Sequence, residues 1–180
     1  MKMNKYLIII SIIFSVLVLI STVNAADVSL ETQDFEAFKM VVPEGSNFVE
    51  DENYTWDYYN TTSSGEEFYE KILVFRNEGE TKDEISNVFY YTFSENLKDE
   101  DMDRVKYQSS DMLSYNCIED NSNIVVYEIP EDLNKSDKYM VVYYVDGNAD
   151  DFNQCIYVYG NNLDLIKEGI DSIKFLDTNT

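Results

Sequence analysis

The sequence predicts an α+β domain: an antiparallel sheet with a central helix and a C-terminal helix packed on it. Three observations lead there. Short runs of alternating apolar residues recur between turn-forming residues, as half-buried strands require. Two stretches repeat their apolar positions at helical spacing instead. The chain is also rich enough in apolar side chains to bury a core, with 44% hydrophobic and 14% aromatic residues, a composition that disordered chains lack.

The first 25 residues stand apart from that domain. Lys2 and Lys5 precede an apolar stretch from Leu7 to Ile20 broken only by Ser11 and Ser15, and Val23-Asn24-Ala25 offers small residues where a signal peptidase cuts. Cleavage after Ala25 is expected, leaving residues 26–180 as a single acidic domain, secreted or held at the cell surface. The competing reading is an uncleaved N-terminal membrane anchor, because residues 6–23 approach the roughly 20 needed to cross a bilayer.

Within the domain, Phe38, Met40 and Val42 alternate before Pro43-Glu44-Gly45, a first strand stopped by a turn. Trp56, Tyr58 and Tyr59 suggest a short strand within 55–60. A longer strand over 68–76 is followed by the turn Asn77-Glu78-Gly79-Glu80 and a partner strand over 85–93. From 98 to 115 the period changes: Met102, Val105, Ser109, Met112 and Leu113 share one side, and Asp99, Glu100, Asp101 and Asp103 occupy the first turns, where the helix dipole favours anions. Strands over 123–129, 139–146 and 154–160 form a meander, and a last helix over 163–175 puts Leu163, Ile166, Ile170 and Ile173 on one stripe.

Side-chain character suggests a register for the final hairpin, with Val145 opposite Cys155, Tyr143 opposite Tyr157 and Val141 opposite Tyr159. One face is then aliphatic and takes the helices. The other carries Tyr139, Tyr143, Tyr157 and Tyr159 as a flat aromatic surface suited to sugar rings or partner proteins. The competing reading is that tyrosine simply fits half-buried strands.

The motif Phe-x-Met-x-Val-Pro-x-Gly at 38–45, the element order, and the closing Gly-Asn-Asn-Leu-Asp-Leu-Ile-Lys-x-x-Ile-Asp-Ser-Ile-Lys-Phe at 160–175 resemble small exported proteins of methanogenic archaea. More distantly, the pattern is similar to the Mog1/PsbP-like α/β/α sandwich. The first resemblance implies no activity. The second implies binding and assembly roles more than catalysis, and neither assigns a residue a role.

Charge narrows the partners. The formal net charge is -22, and loss of Lys2 and Lys5 makes it -24. Nucleic acid and anionic membrane surfaces are bound through Lys and Arg, so both are excluded as partners, and an envelope glycan or another surface protein is expected instead. The absence of histidine removes the commonest general base and transition-metal ligand. No Gly-x-Ser-x-Gly elbow is present, and the six glycines form no phosphate loop. The reading is therefore a binding or envelope-associated domain with no catalytic residue and no cofactor. The alternative is a carboxylate-dependent extracellular hydrolase, for which 35 acidic residues supply raw material.

Calcium is the one ion the chain suits, through Asp146, Asn148, Asp150 and Asp151, with Glu50-Asp51-Glu52 as a second acidic cluster. Neither matches an EF-hand, and a solvated turn is the competing reading of the first. Cys117 and Cys155 are expected to form a disulfide worth about 4 kcal/mol on the chain-entropy model; two free thiols are the alternative. Asn53, Asn60 and Asn134 head N-glycosylation sequons.

Overall fold

The computed structural model describes residues 28–54, 69–93, 114–121, 123–133, 135–145 and 153–176. Among them lie strands β1 (Leu30–Asp34), β2 (Phe38–Pro43), β3 (Phe48–Glu50), β4 (Tyr69–Asn77), β5 (Asn87–Phe93), β6 (Asn116–Asn121), β7 (Ile124–Glu128), β8 (Tyr139–Val145), β9 (Gln154–Gly160) and β10 (Lys174–Phe175), with helix α1 (Leu163–Asp171) before β10. Seven strands form one sheet in the order β3-β4-β5-β9-β8-β7-β6, and β1-β2-β10 form a second. All pairs are antiparallel. The fold is thus α+β and mostly antiparallel sheet, as expected. The central helix expected over 98–115 falls almost wholly outside the described residues, as do the strand expected over 55–60 and the N-terminal segment. No helix among the described residues is long and apolar enough to cross a membrane.

Alternation on β2 does what its sequence predicts: Phe38, Met40 and Val42 are buried while Lys39 is exposed. They pack with Leu165, Ile166 and Ile170 of α1 against Phe75, Val88, Tyr90, Val141, Ile156 and Val158 on the near face of the large sheet. Each such side chain contributes about 1.5–3 kcal/mol of burial. The two motifs at 38–45 and 160–175 therefore form one body. Gly169 lets the helix lie close, since a Cβ there would stand 3.0 Å from the Val41 carbonyl and 3.3 Å from the Met40 sulfur. Ser172 fastens the helix end: its Oγ donates to the Gly169 carbonyl (2.6 Å) and accepts the Val41 N–H (2.7 Å).

That fastening explains one departure from expectation. The last helix ends at Asp171, with Ser172 as its C-cap, and Lys174 and Phe175 pair with Lys39 and Phe38 as β10. Ile166 and Ile170 of the expected stripe are buried, Leu163 and Ile173 pack half-buried against the same core, and Leu165 and Gly169 are buried beside them.

The far face of the large sheet is buried too, by Ile72, Val74, Val125, Met140, Val142, Tyr144, Cys155 and Tyr157 among others. A β-bulge between Tyr69 and Lys71 turns Tyr69 onto this face, beside Phe93.

The hairpin register differs from the expected one by a single residue. Val145 faces Gln154, Tyr144 faces Cys155, Tyr143 faces Ile156 and Val142 faces Tyr157. A one-residue slip moves a whole strand's side chains to the opposite face relative to its partner. Tyr139 and Tyr143 consequently pack on the near-face core, and Tyr157 and Tyr159 on the far-face core. The single four-tyrosine surface does not form.

The expected disulfide does not form either; both thiols are free, Cys117 exposed and Cys155 buried. Cys155 sits on β9 and Cys117 on β6, with β8 and β7 between them. Three strand spacings amount to roughly 14 Å, twice the roughly 7 Å beyond which two cysteine Cα atoms cannot be bridged.

Candidate functional site

Several loops meet at one end of the large sheet, and their joints are side-chain amides and glycines. Asn77, at the end of β4, is the buried polar side chain among the described residues, at 6% exposure. Its Oδ1 accepts the N–H groups of Asn47 (3.0 Å) and Gly79 (2.9 Å). Its Nδ2 donates to the Ile85 carbonyl (2.8 Å) and to Thr81 Oγ1 (3.3 Å). Two bonds accepted and two donated fill the capacity of a carboxamide.

Gly79 brings this loop into backbone contact with the turn after β2. A Cβ at Gly79 would lie 2.3 Å from the Gly45 carbonyl, and the Glu78 and Glu80 N–H groups donate to the carbonyls of Asn47 (2.8 Å) and Gly45 (3.1 Å).

Gly160-Asn161-Asn162 closes the other side. A Cβ at Gly160 would stand 2.1 Å from the Glu84 carbonyl, so only glycine fits there. The Asn161 N–H donates to the Asp83 carbonyl (3.1 Å), and its Oδ1 accepts the Lys138 N–H (2.8 Å). Asn162 caps α1, its Oδ1 accepting the Leu165 N–H (3.3 Å). The β4–β5 loop, the start of β8 and the end of β9 are thereby held in fixed relation.

On this scaffold lies an open polar groove of about 350 Å³. Strand order lays out its lining: Arg76 at the end of β4, Asn87 opposite it on β5, Asn161 just past β9 and Asp137 just before β8. From Arg76 to Asp137 is three strand spacings, roughly 14 Å. Lys82 and Asp83 reach the groove from the β4–β5 loop. Arg76 Nε contacts Asp51 Oδ2 at 2.5 Å, and the guanidinium lies 5.8 Å from the centre of the Tyr54 ring. The hydrogen bond from Arg76, and secondarily one from the Tyr54 N–H, hold the Asp51 carboxyl below its usual range. Lys82, like Lys138 and Lys174, makes no ion pair among the described residues, whereas Lys39, Lys71 and Lys167 are matched to Asp34, Glu36 and Glu119.

Beside the groove the far sheet face turns aromatic. Asn87 is flanked across the sheet by Arg76 and Tyr159. Tyr159 meets Phe89 edge-on at 5.4 Å, Phe89 meets Tyr54 at 5.7 Å, and the rings continue through Tyr91 to Tyr69 and Phe93. Aromatic rings do cluster here, but they come from β4, β5, β9 and Tyr54 beyond β3, and of the four tyrosines expected to do so only Tyr157 and Tyr159 take part.

Asp146, Asn148, Asp150 and Asp151, the calcium candidates, lie outside the described residues, as do Asn60 and Asn134. Asn53 is exposed. In the second acidic cluster Asp51 is engaged by Arg76, while burial first, then Glu36 and Glu52, push the Glu50 carboxyl up. Among the described residues no three His, Cys, Asp or Glu side chains converge in a way that would hold a metal.

Sequence reasoning missed Arg76, Lys82, Asn87 and Asn161 as lining residues. The available signal was the asparagine-glycine pairing at both strand ends, Asn77 with Gly79 and Gly160 with Asn161, which reads as turn chemistry until the loops are seen to meet. Comparison with known proteins finds no family model, no curated protein and no solved structure that matches this chain.

Proposed function

We propose that the chain is an exported or cell-surface binding domain that holds a polar ligand of the envelope in the groove at the end of its large sheet. The observation that carries this reading is the mismatch between the groove's lining and its support. Exposed amides and charged side chains, unsuited to a core, are mounted on loops fixed by a fully bonded Asn77 and by glycines in backbone contact. Fixed polar groups bind with less loss of conformational entropy than mobile ones. Export rests on the N-terminal pattern and on the resemblance to small exported proteins, and binding is supported by the more distant sandwich resemblance, which implies binding and assembly roles more than catalysis. The -22 charge keeps nucleic acid and anionic lipid away.

The test is retention on envelope material. Asn87→Ala and Asp137→Ala together remove two groove side chains that take no part in the Asn77 joint. Wild-type protein should be retained and the double variant released at unchanged Tm. Equal retention of both would refute the groove as the binding site.

One observation favours a second reading, an extracellular hydrolase: the groove is concave and contains the carboxylates of Asp83 and Asp137. Asp83→Asn and Asp137→Asn decide between them. Release of new reducing ends by wild-type protein, lost in both variants, would replace the binder with the enzyme.

A further inference from the structure

We infer that the groove takes a cationic partner, an extended lysine-bearing segment of another surface protein, whose ammonium groups lie on Glu78, Asp83 and Asp137. This rests on the groove being the binding site. Charge, layout and the two lining amides argue for it.

The lining holds the carboxylates of Glu78, Asp83 and Asp137 beside the cations of Arg76 and Lys82. Arg76 is already engaged, by Asp51 at 2.5 Å and by the Tyr54 ring at 5.8 Å. Lys138, next to Asp137, holds its ammonium over the Tyr139 ring at 5.2 Å. The carboxylates of Glu78 and Asp83 make no ion pair or hydrogen bond among the described residues, and Asp137 accepts a long bond from Ser136 Oγ (3.4 Å). Lys82 alone stands against three open carboxylates, in a chain of net charge -22. Such a field draws cations and repels anions.

The carboxylates are spread along the groove. Glu78 follows the end of β4 and Asp137 precedes β8, with β5 and β9 between, so their anchor points stand roughly 14 Å apart. Asp83 lies between them, its carbonyl accepting the Asn161 N–H (3.1 Å) just past β9. Among the described residues no three acids converge on a point, as a metal ion would need. A linear cation fits this spread: lysines four residues apart on an extended chain are separated by roughly 13 Å.

The amides distinguish a peptide from a bare polyamine. Asn87 gives its Nδ2 to Ser86 Oγ (2.9 Å), which leaves its Oδ1 as an acceptor. Asn161 spends its Oδ1 on the Lys138 N–H (2.8 Å), which leaves its Nδ2 as a donor. An acceptor and a donor at the ends of neighbouring strands suit the N–H and C=O of a peptide, and a polyamine has no carbonyl for Asn161.

The experiment is calorimetric titration of the purified protein with three probes: an end-blocked pentapeptide with lysine at its first and fifth positions, its counterpart with glutamate there, and spermidine. Each is run against wild type, the double variant Asp83→Asn with Asp137→Asn, Lys82→Gln, and Glu168→Gln, which removes an exposed carboxylate of α1 outside the groove. The lysine peptide should bind tightest and weaken as salt is raised. The double variant should weaken it roughly five-fold. Lys82→Gln should strengthen it roughly two-fold, because a competing ammonium is gone, and Glu168→Gln should leave it unchanged.

Binding of the glutamate peptide as tightly as the lysine one, equal binding of spermidine, weakening by Lys82→Gln, or a loss in Glu168→Gln as large as in the double variant would overturn the assignment. If no probe binds while envelope retention still depends on Asn87 and Asp137, the ligand class falls and the groove stands. If retention ignores those residues, both fall.

Discussion

The interior strands of the large sheet and its β6 edge are built on opposite principles. Around β4, β5 and β9, loops approach to backbone contact: Gly79 against Gly45, Gly160 against Glu84, with Asn77 bonded four ways between them. At the other limit, β6 is exposed along nearly its whole length, Ile118 at 49%, and a β-bulge falls between Cys117 and Glu119. Among the described residues it is attached by the β7 ladder and by an ion pair from Glu119 to Lys167 of α1. A bulge and acidic side chains are how natural sheets discourage edge-to-edge association. Among the described residues, the closest backbone contacts gather beside the groove, and the β6 edge carries a bulge and acidic side chains in place of apolar packing.

The largest effect should come from Gly160→Ala, whose Cβ has no room beside the Glu84 carbonyl. We expect a loss of about 3 kcal/mol, or roughly 10 °C in Tm for a domain of this size. Gly45→Ala is the control: its surroundings are open, but φ is +87°, so about 1 kcal/mol is expected from backbone strain alone. Equal losses would break the comparison. Asn77→Ala should follow at about 2–3 kcal/mol, because it strands buried backbone groups of Asn47, Gly79 and Ile85; thermal melting reads it directly.

Alkaline pH probes the sheet interior. Burial pushes the Cys155 thiol well above its ordinary 9.0 and the Tyr157 hydroxyl well above 10.0. The folded protein keeps both protonated where the unfolded chain ionises. Their stability is therefore complete below about pH 9 and declines as pH rises through 9 and 10. Cys155→Ala should move the onset into the tyrosine range, and a Tm flat to pH 11 would contradict the burial of these groups.

The acid side should be shallower. Asp51 is held low by Arg76, so its contribution is present above its ordinary 3.8 and is lost as pH falls through its lower folded value. Asp51 is only partly buried and Arg76 half exposed, so Asp51→Asn should cost less than about 1 kcal/mol at neutral pH. The smallest effect belongs to the free edge: Cys117→Ser should change stability by less than about 0.5 kcal/mol. A larger loss would mean that β6 is integral to the packing.

Legibility in the sequence followed burial. Strands β2, β4, β7, β8 and β9 stand in clear apolar patterns and lie within a residue or two of their expected places. Strand β5 begins two residues later than expected, because Ile85 is buried within the preceding loop. Strands β1, β3, β6 and β10 were not legible. Leu30-Glu31-Thr32-Gln33-Asp34 and Asn116-Cys117-Ile118-Glu119-Asp120-Asn121 lie at sheet edges, where most side chains meet water and no alternation is required. The groove was invisible for a related reason: its lining is drawn from strand ends and loops far apart in sequence, and each of them looks like an ordinary turn.

What the sequence determined alone was the strand inventory of the interior, the acidic and histidine-free chemistry, and the helical stripe that docks on β2. Tertiary structure decided the β8–β9 register, the separation of the two cysteines and the meeting of the Asn77 and Gly160 loops. The physical reason is that both faces of β8 and β9 are buried. Alternation then marks two apolar faces without saying which residues stand opposite, and the choice passes to contacts made by the rest of the sheet.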